Sequence, residues 1–198
     1  IRALIDIPSI GVKFGDMGGY VESTDNLSQD GHCWVFDDAC VSDDAWVYDN
    51  ARVYNNVRIY NNAQVYRDAR VYGDAWVYGD AWVYDNAQVY GGANVHGDAR
   101  VYGDARVYGD ADVCGDAYII GGSWDESPLY IVGSKYSLTN CKPGYIKIGC
   151  KILTFEEWLS NGETIGRTYG YTDKQIAEYR DYIELICRRG VPAEKEAA

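Results

Sequence analysis

Val71-Tyr72-Gly73-Asp74-Ala75-Trp76-Val77-Tyr78-Gly79-Asp80-Ala81-Trp82 repeats one six-residue unit twice, and the same unit runs far beyond it. From Val35 to Ile119 every sixth residue is valine or isoleucine, fifteen times in succession. A short fixed period signals a solenoid and takes precedence over local propensity. Six does not divide into 3.6-residue helical turns. It does fit a short strand with alternating side chains, followed by a two-residue corner.

Two slots of the unit are apolar and lie two residues apart. One holds Ala39, Ala45, Ala51, Val57, Ala63 and Ala69, continuing to Ala117; the other holds Val35, Val41, Val47, Val53, Ile59 and onward. Positions i and i+2 of a strand share a face, so both slots point inward. The residue between them (Arg52, Trp76, Arg100) and the residue after valine, usually Tyr, point outward. Gly-Asp, Asp-Asn or Asn-Asn then supplies corner chemistry that tolerates positive φ. Alanine fits where the core narrows at the corner, and β-branched valine fills the flat of each strand.

The pattern aliphatic, any, any, any, small, any resembles that of the left-handed parallel β-helix hexapeptide-repeat proteins over residues 27 to 123. The resemblance implies a triangular solenoid of about 18 residues per coil, about five coils in all, and parallel homotrimers. The Tyr-Gly-Asp-Ala variant, with the lead-in Gly18-Gly19-Tyr20-Val21-Glu22-Ser23 and Asp25-Asn26-Leu27-Ser28, is most similar to repeat proteins of phages and prophages. The expected fold is therefore mainly β. Residues 1 to 26 form an N-terminal cap, 27 to 123 the β-helix, and 124 to 198 a small α+β C-terminal module.

That module is read from local signals. Gly121 to Pro128 reads as a linker. Leu129 to Val132 and Tyr145 to Ile152 read as strands, the latter after a Pro143-Gly144 turn. Thr154-Phe155-Glu156-Glu157 has the capping-box form, opening a helix expected to stop near Gly162. Thr172-Asp173-Lys174-Gln175 opens a second helix, with Ile176, Tyr179, Ile183 and Ile186 on one stripe and an end at Gly190. Capping the solenoid is the plain role for this module, and separate recognition the sharper one.

The formal charge of −12 is concentrated in the repeat, where fifteen Asp and no Glu face six Arg between residues 27 and 123. Such a surface repels nucleic acid and membranes and attracts basic protein surfaces. No stretch reads as a membrane span or secretory signal. The chain begins at Ile1 rather than Met, which leaves room for a trimmed segment before it. The six cysteines show no CxxC pairing, which suits reduced thiols in a cytoplasm.

Residues 18 apart should stack about 4.8 Å apart, which sorts the outward positions into faces. One face carries Phe36, Tyr54, Tyr72, Tyr90 and Tyr108 beside Arg52, Arg70 and Arg106. The ladder Tyr54, Tyr72, Tyr90, Tyr108, with Arg70, is the candidate interface between copies, since Tyr, Trp and Arg dominate interface hot spots. Another face carries Tyr48, Tyr66, Tyr84 and Tyr102. The remaining face begins with Arg58, Tyr60, Trp76 and Tyr78 and then changes to Asn94, His96, Asp112 and Cys114. There the loss of bulky rings suggests a shallow binding recess. Asp80, Asp98 and Asp116 form a corner column that turn preference already explains, but that also offers charge to a basic partner or a cation.

Catalytic patterns are sparse. There is no GxSxG, no phosphate-cradling loop and no His-rich metal spacing. Hexapeptide-repeat relatives include acyltransferases with CoA-type donors and a histidine base, and only His32 and His96 are available here. No hexapeptide is interrupted by a loop that would build a pocket. The expectation is a non-catalytic, oligomeric binding scaffold without cofactor or metal, with His96 catalytic only in the acyltransferase alternative. Its expected partners are itself and a basic host protein surface or a small ligand, with no direct contact to nucleic acid or membrane. The phage resemblance suggests an inhibitor of a host defence component in the host cytoplasm.

Overall fold

The computed structural model describes residues 1–193. The chain divides into two compact units, Ile1–Asp116 with Ile120–Ser127, and Ala117–Ile119 with Pro128–Ala198.

The first unit is a parallel β-solenoid. One face stacks the strands Tyr20–Val21, Cys40–Val41, Arg58–Ile59, Trp76–Val77, Asn94–Val95 and Asp112–Val113. A second stacks Trp34–Val35, Arg52–Val53, Arg70–Val71, Gln88–Val89, Arg106–Val107 and Ser123–Trp124. The third includes Trp46–Val47, Gln64–Val65, Trp82–Val83 and Arg100–Val101. From Trp34–Val35 to Asp112–Val113 the strands pair in parallel at a step of 18 residues, as in Arg52 with Arg70 and Val53 with Val71. Val35, Ala39, Val53, Ala81, Val83 and Val101 are fully buried, so both apolar slots face inward as the period requires. Valine, rather than a longer residue, suits this interior because its single preferred χ1 rotamer costs little entropy on burial.

The solenoid is six strands deep on two faces, one level more than the sequence expectation. The extra level comes from segments read as cap and linker. Val21 pairs with Val41 and Leu27 bridges to Val47, each 20 residues apart instead of 18. The two additional residues fall between Leu27 and Val35, a stretch that includes Gly31 at φ 86. A Cβ at Gly31 would lie 2.2 Å from the Asp49 carbonyl, so only glycine lets this loop return to register. Asn26 closes this first coil: its buried amide donates to the Asp43 and Ala45 carbonyls at 2.8 Å each and accepts from Ser23 N–H. Ahead of it, Ala3, Ile7 and Val12 cluster over Trp34. Trp34 occupies an outward column yet is only 6% exposed, because the N-terminal segment lies across it.

At the other end, the Gly121–Pro128 segment read as a linker instead supplies a strand. Ser123–Trp124 pairs with Arg106–Val107, and Trp124 falls in the inward column that holds valine in every coil before it. Its indole N–H donates to the Gly121 carbonyl at 2.9 Å.

The second unit has an antiparallel sheet of Tyr130–Val132, Ser137–Lys142, Tyr145–Ile148 and Lys151–Thr154. Two helices follow, α1 (Phe155–Thr168) and α2 (Asp173–Arg189), and both expected capping boxes are formed. Trp158, Tyr179, Ile183 and Ile186 pack with Leu138 and Ile146 in one core. The stretch Tyr145 to Ile152 is two strands of a hairpin, turning at Gly149, which has φ 54.

Helix α1 does not stop at Gly162; it continues to Thr168. The reason is packing, since α1 crosses α2 with the Ile183 Cδ1 3.5 Å from where a Gly162 Cβ would stand. That distance is ordinary van der Waals contact. Gly162→Ala is therefore expected to stabilise the unit by about 0.5–1 kcal/mol, the helix-propensity difference. Thermal denaturation of the variant checks this, and a lowered midpoint would show that the two helices pack closer than described.

Candidate functional site

The corners decide what the solenoid can present. From Asp37 to Gly115 the second residue after each valine or isoleucine of the repeat adopts left-handed backbone, as at Asp49 (φ 57), Asn61 (φ 58) and Gly97 (φ 70). Asp and Asn tolerate this region better than other residues with a Cβ, which explains the corner alphabet. Corner side chains also link coils: Asn62 Nδ2 donates to Asp80 Oδ1 at 2.8 Å and Asn56 Nδ2 to Asp74 Oδ1 at 2.9 Å. Backbone bonds run beside them, with Asp80 N–H donating to the Gly97 carbonyl at 2.8 Å. Asp80, Asp98 and Asp116 each follow a glycine in one corner, where Gly79, Gly97 and Gly115 stack closely enough that a Cβ would strike the next backbone at 2.9–3.0 Å. That column is thus an array of carboxylates, with Asp80 held by Asn62.

The aromatic columns form as the 18-residue spacing demands. Tyr48, Tyr66, Tyr84 and Tyr102 stack with ring centroids 4.6, 4.9 and 4.8 Å apart. Partial burial in this stack pushes the phenols of Tyr48 and Tyr84 up to about 12, so they remain neutral hydrogen-bonding groups at ordinary pH. On the next face the rings stack as two runs, Phe36 on Tyr54 at 4.6 Å, and Tyr72, Tyr90 and Tyr108 at 4.7 and 5.0 Å. Arg70 stands exposed in the neighbouring outward column, between Arg52 and Gln88.

The face of Trp76 and Tyr78 is where chemistry gathers. Tyr60 stacks on Tyr78 at 4.9 Å, and the His96 imidazole continues the stack at 4.8 Å and 3°. Ring stacking thus persists to His96, and at Cys114 a thiol takes the place of a ring. Trp76, Asn94 and Asp112 are register partners in the adjoining column. Trp76 stays 42% exposed, its indole beneath the Arg58 guanidinium at 5.6 Å. His96 Nε2 lies 2.9 Å from Asp112 Oδ1. The ligand atoms of His96, Asp112 and Cys114 all fall within 4.8 Å of one another. Burial first, and the Asp112 carboxylate second, push the Cys114 thiol above its ordinary value. A thiol raised in this way is a poor free nucleophile, because the thiolate is the reactive form. The other histidine, His32, is exposed in the loop before the regular coils.

The third corner was not singled out in the sequence. It forms an open groove of about 510 Å³ lined by Asp49, Arg67, Asp68, Asp85 and Asp104 among others. Arg67 holds left-handed backbone at φ 57, pairs with the Asp85 carboxylate and lies 5.9 Å over both Tyr66 and Tyr84. The signal was present as Asp49, Arg67 and Asp85 at 18-residue spacing, obscured because arginine is foreign to the corner alphabet. All six cysteines are free. Among the described residues no helix is long and apolar enough to cross a membrane.

Five segments, the overlapping residues 45–61, 51–69, 63–79 and 69–85 and the separate 99–115, match the family described as YdcK Beta solenoid repeat. No curated protein matches the chain. Through its repeats, and to that extent, this chain is similar to the YdcK beta-solenoid family.

Proposed function

We propose that the protein is a non-catalytic, self-associating β-solenoid scaffold that works by binding a basic macromolecular surface. In this reading the coils wind left-handed, three copies pack in parallel, and the ladder of Tyr54, Tyr72, Tyr90 and Tyr108 with Arg70 lies between them. The acidic corner columns remain outside and present carboxylates at strand spacing, in the manner of a phosphate array. Its concrete form is a phage-encoded inhibitor of a host defence component, acting in the host cytoplasm; the likeness of the lead-in and repeat to phage proteins supports that step. The observation that carries the scaffold reading is the unbroken series of two-residue strands from Trp34–Val35 to Asp112–Val113, each joined to the next by a corner. Flat faces built this way are suited to surface contact, and offer no protruding loop to enclose a small substrate.

The competing reading is acyl transfer from a CoA-type donor with His96 as general base. A general base must reach its nucleophile's proton and hold a pKa near the working pH. His96 Nε2 is instead engaged with Asp112. Titrating the protein with acetyl-CoA in a calorimeter separates the two readings. The scaffold reading expects no saturable heat, and micromolar affinity would replace it with the enzyme.

A further inference from the structure

The geometry points to a transition-metal site of the zinc class on the outward surface of the solenoid, formed by His96 Nε2, Cys114 Sγ and the Asp112 carboxylate. The three groups come from two adjacent coils whose strands are locked in register, Asn94 opposite Asp112 and Val95 opposite Val113. Their ligand atoms already lie within 4.8 Å of one another. In a tetrahedral zinc site, metal–ligand bonds of about 2.0–2.3 Å place ligand atoms about 3.4–3.6 Å apart. The His96–Asp112 pair, at 2.9 Å, opens slightly on binding, and the remaining difference is within the reach of side-chain rotation.

Two further observations separate this cluster from an ordinary polar patch. The imidazole stacks on Tyr78 at 4.8 Å and 3°, an orientation that turns Nε2 toward Asp112. The Asp112 backbone is held as well, its N–H donating to Ser127 Oγ at 3.0 Å. The equivalent positions two coils earlier, Tyr60, Trp76 and Tyr78, offer none of these three donor groups, so the set belongs to this one place in the repeat. One nitrogen, one sulfur and one oxygen donor suit a borderline-soft ion, whereas calcium and magnesium prefer all-oxygen shells. His96 and Asp112 side chains are 28% and 49% exposed, which leaves a fourth position on the solvent side for water. On binding, the Cys114 thiol gives its proton to the buffer and the thiolate bonds to the metal. The proposal stands independently of the assembly described above.

Calorimetric titration of the metal-free full chain with Zn²⁺, together with the absorption spectrum after Co²⁺ substitution, tests it. The expected result is one ion per chain with micromolar or tighter affinity, and a thiolate-to-cobalt charge-transfer band. Cys114→Ser should abolish that band, and His96→Tyr, which restores the residue of its own column, should weaken binding at least about tenfold. Both variants keep the core intact, and an unchanged circular dichroism spectrum verifies it. Absence of Zn²⁺ binding overturns the proposal. So does binding that survives both substitutions, which would move the site to other cysteines such as Cys40 or Cys150, and so does a preference for Ca²⁺ or Mg²⁺ over Zn²⁺.

Discussion

Trp124→Ala is expected to cost about 3–5 kcal/mol, the range for removing a buried aromatic ring from a core that cannot collapse. The indole is 2% exposed and occupies the inward column that elsewhere holds valine. Truncation leaves a cavity at the last coil of this unit and strips the Gly121 carbonyl of its 2.9 Å partner. A buried acceptor left without its donor adds to the loss. Solenoid stability is a sum of coil and interface terms, so weakening a terminal coil should fray the rod from that end. Chemical denaturation of wild type and variant measures the change. A loss below about 1 kcal/mol, the level of a surface site, would mean that Trp124 does not fill the interior.

Ala81→Leu should cost about 1–3 kcal/mol by overpacking, since Ala81 is fully buried beside a corner whose strands cannot move apart without breaking the ladder on either side. Replacing Gln88, which stands outward and whose side chain accepts from Tyr72 Oη at 3.3 Å, should cost no more than about 0.5 kcal/mol. The contrast tests the register itself. Shifting the strand by one residue would exchange inward and outward sets, and the two substitutions would exchange their effects. Equal losses at both sites would contradict the described packing.

The coils were legible because the repeat encodes one decision many times: each Val and Ala slot repeats the same inward vote, and each corner the same left-handed requirement. Where the repeat lapses, reading stopped early. Val21 and Leu27 belong to the solenoid, yet their 20-residue step to Val41 and Val47 hides them from an 18-residue template. Trp124 is hidden twice, by its 17-residue step from Val107 and by its bulk in a valine column.

In the second unit the strand Ser137–Lys142 escaped notice because Thr139 and Asn140 are buried polar residues within it. Asn140 earns that place by donating to the Lys142 and Tyr145 carbonyls and accepting from Val191 N–H at 2.7 Å, contacts that no hydropathy pattern announces. The helix capping boxes were legible because they are local. The end of α1 was not, because Gly162 lies within a helix that packing against α2 carries on to Thr168.

The candidate site divides in the same way. Asn94, His96, Asp112 and Cys114 stood out as departures from the repeat, but as a recess rather than as ligands. Metal-ligand spacings are recognised within one turn or loop, whereas His96 and Cys114 meet only because a coil returns 18 residues later to the same column. The corner groove around Arg67 required the same translation from sequence distance to stacking distance.

Sedimentation equilibrium of the full chain at micromolar concentration tests the proposed self-association. The expected mass of the proposed trimer is three times that of the 22.1 kDa chain. Changing Tyr72 and Tyr90 together to Asp, which puts two charges into the middle of the aromatic ladder, is expected to reduce the mass to that of one chain. A wild type that sediments as a monomer, or a double variant that assembles as well as wild type, would contradict it.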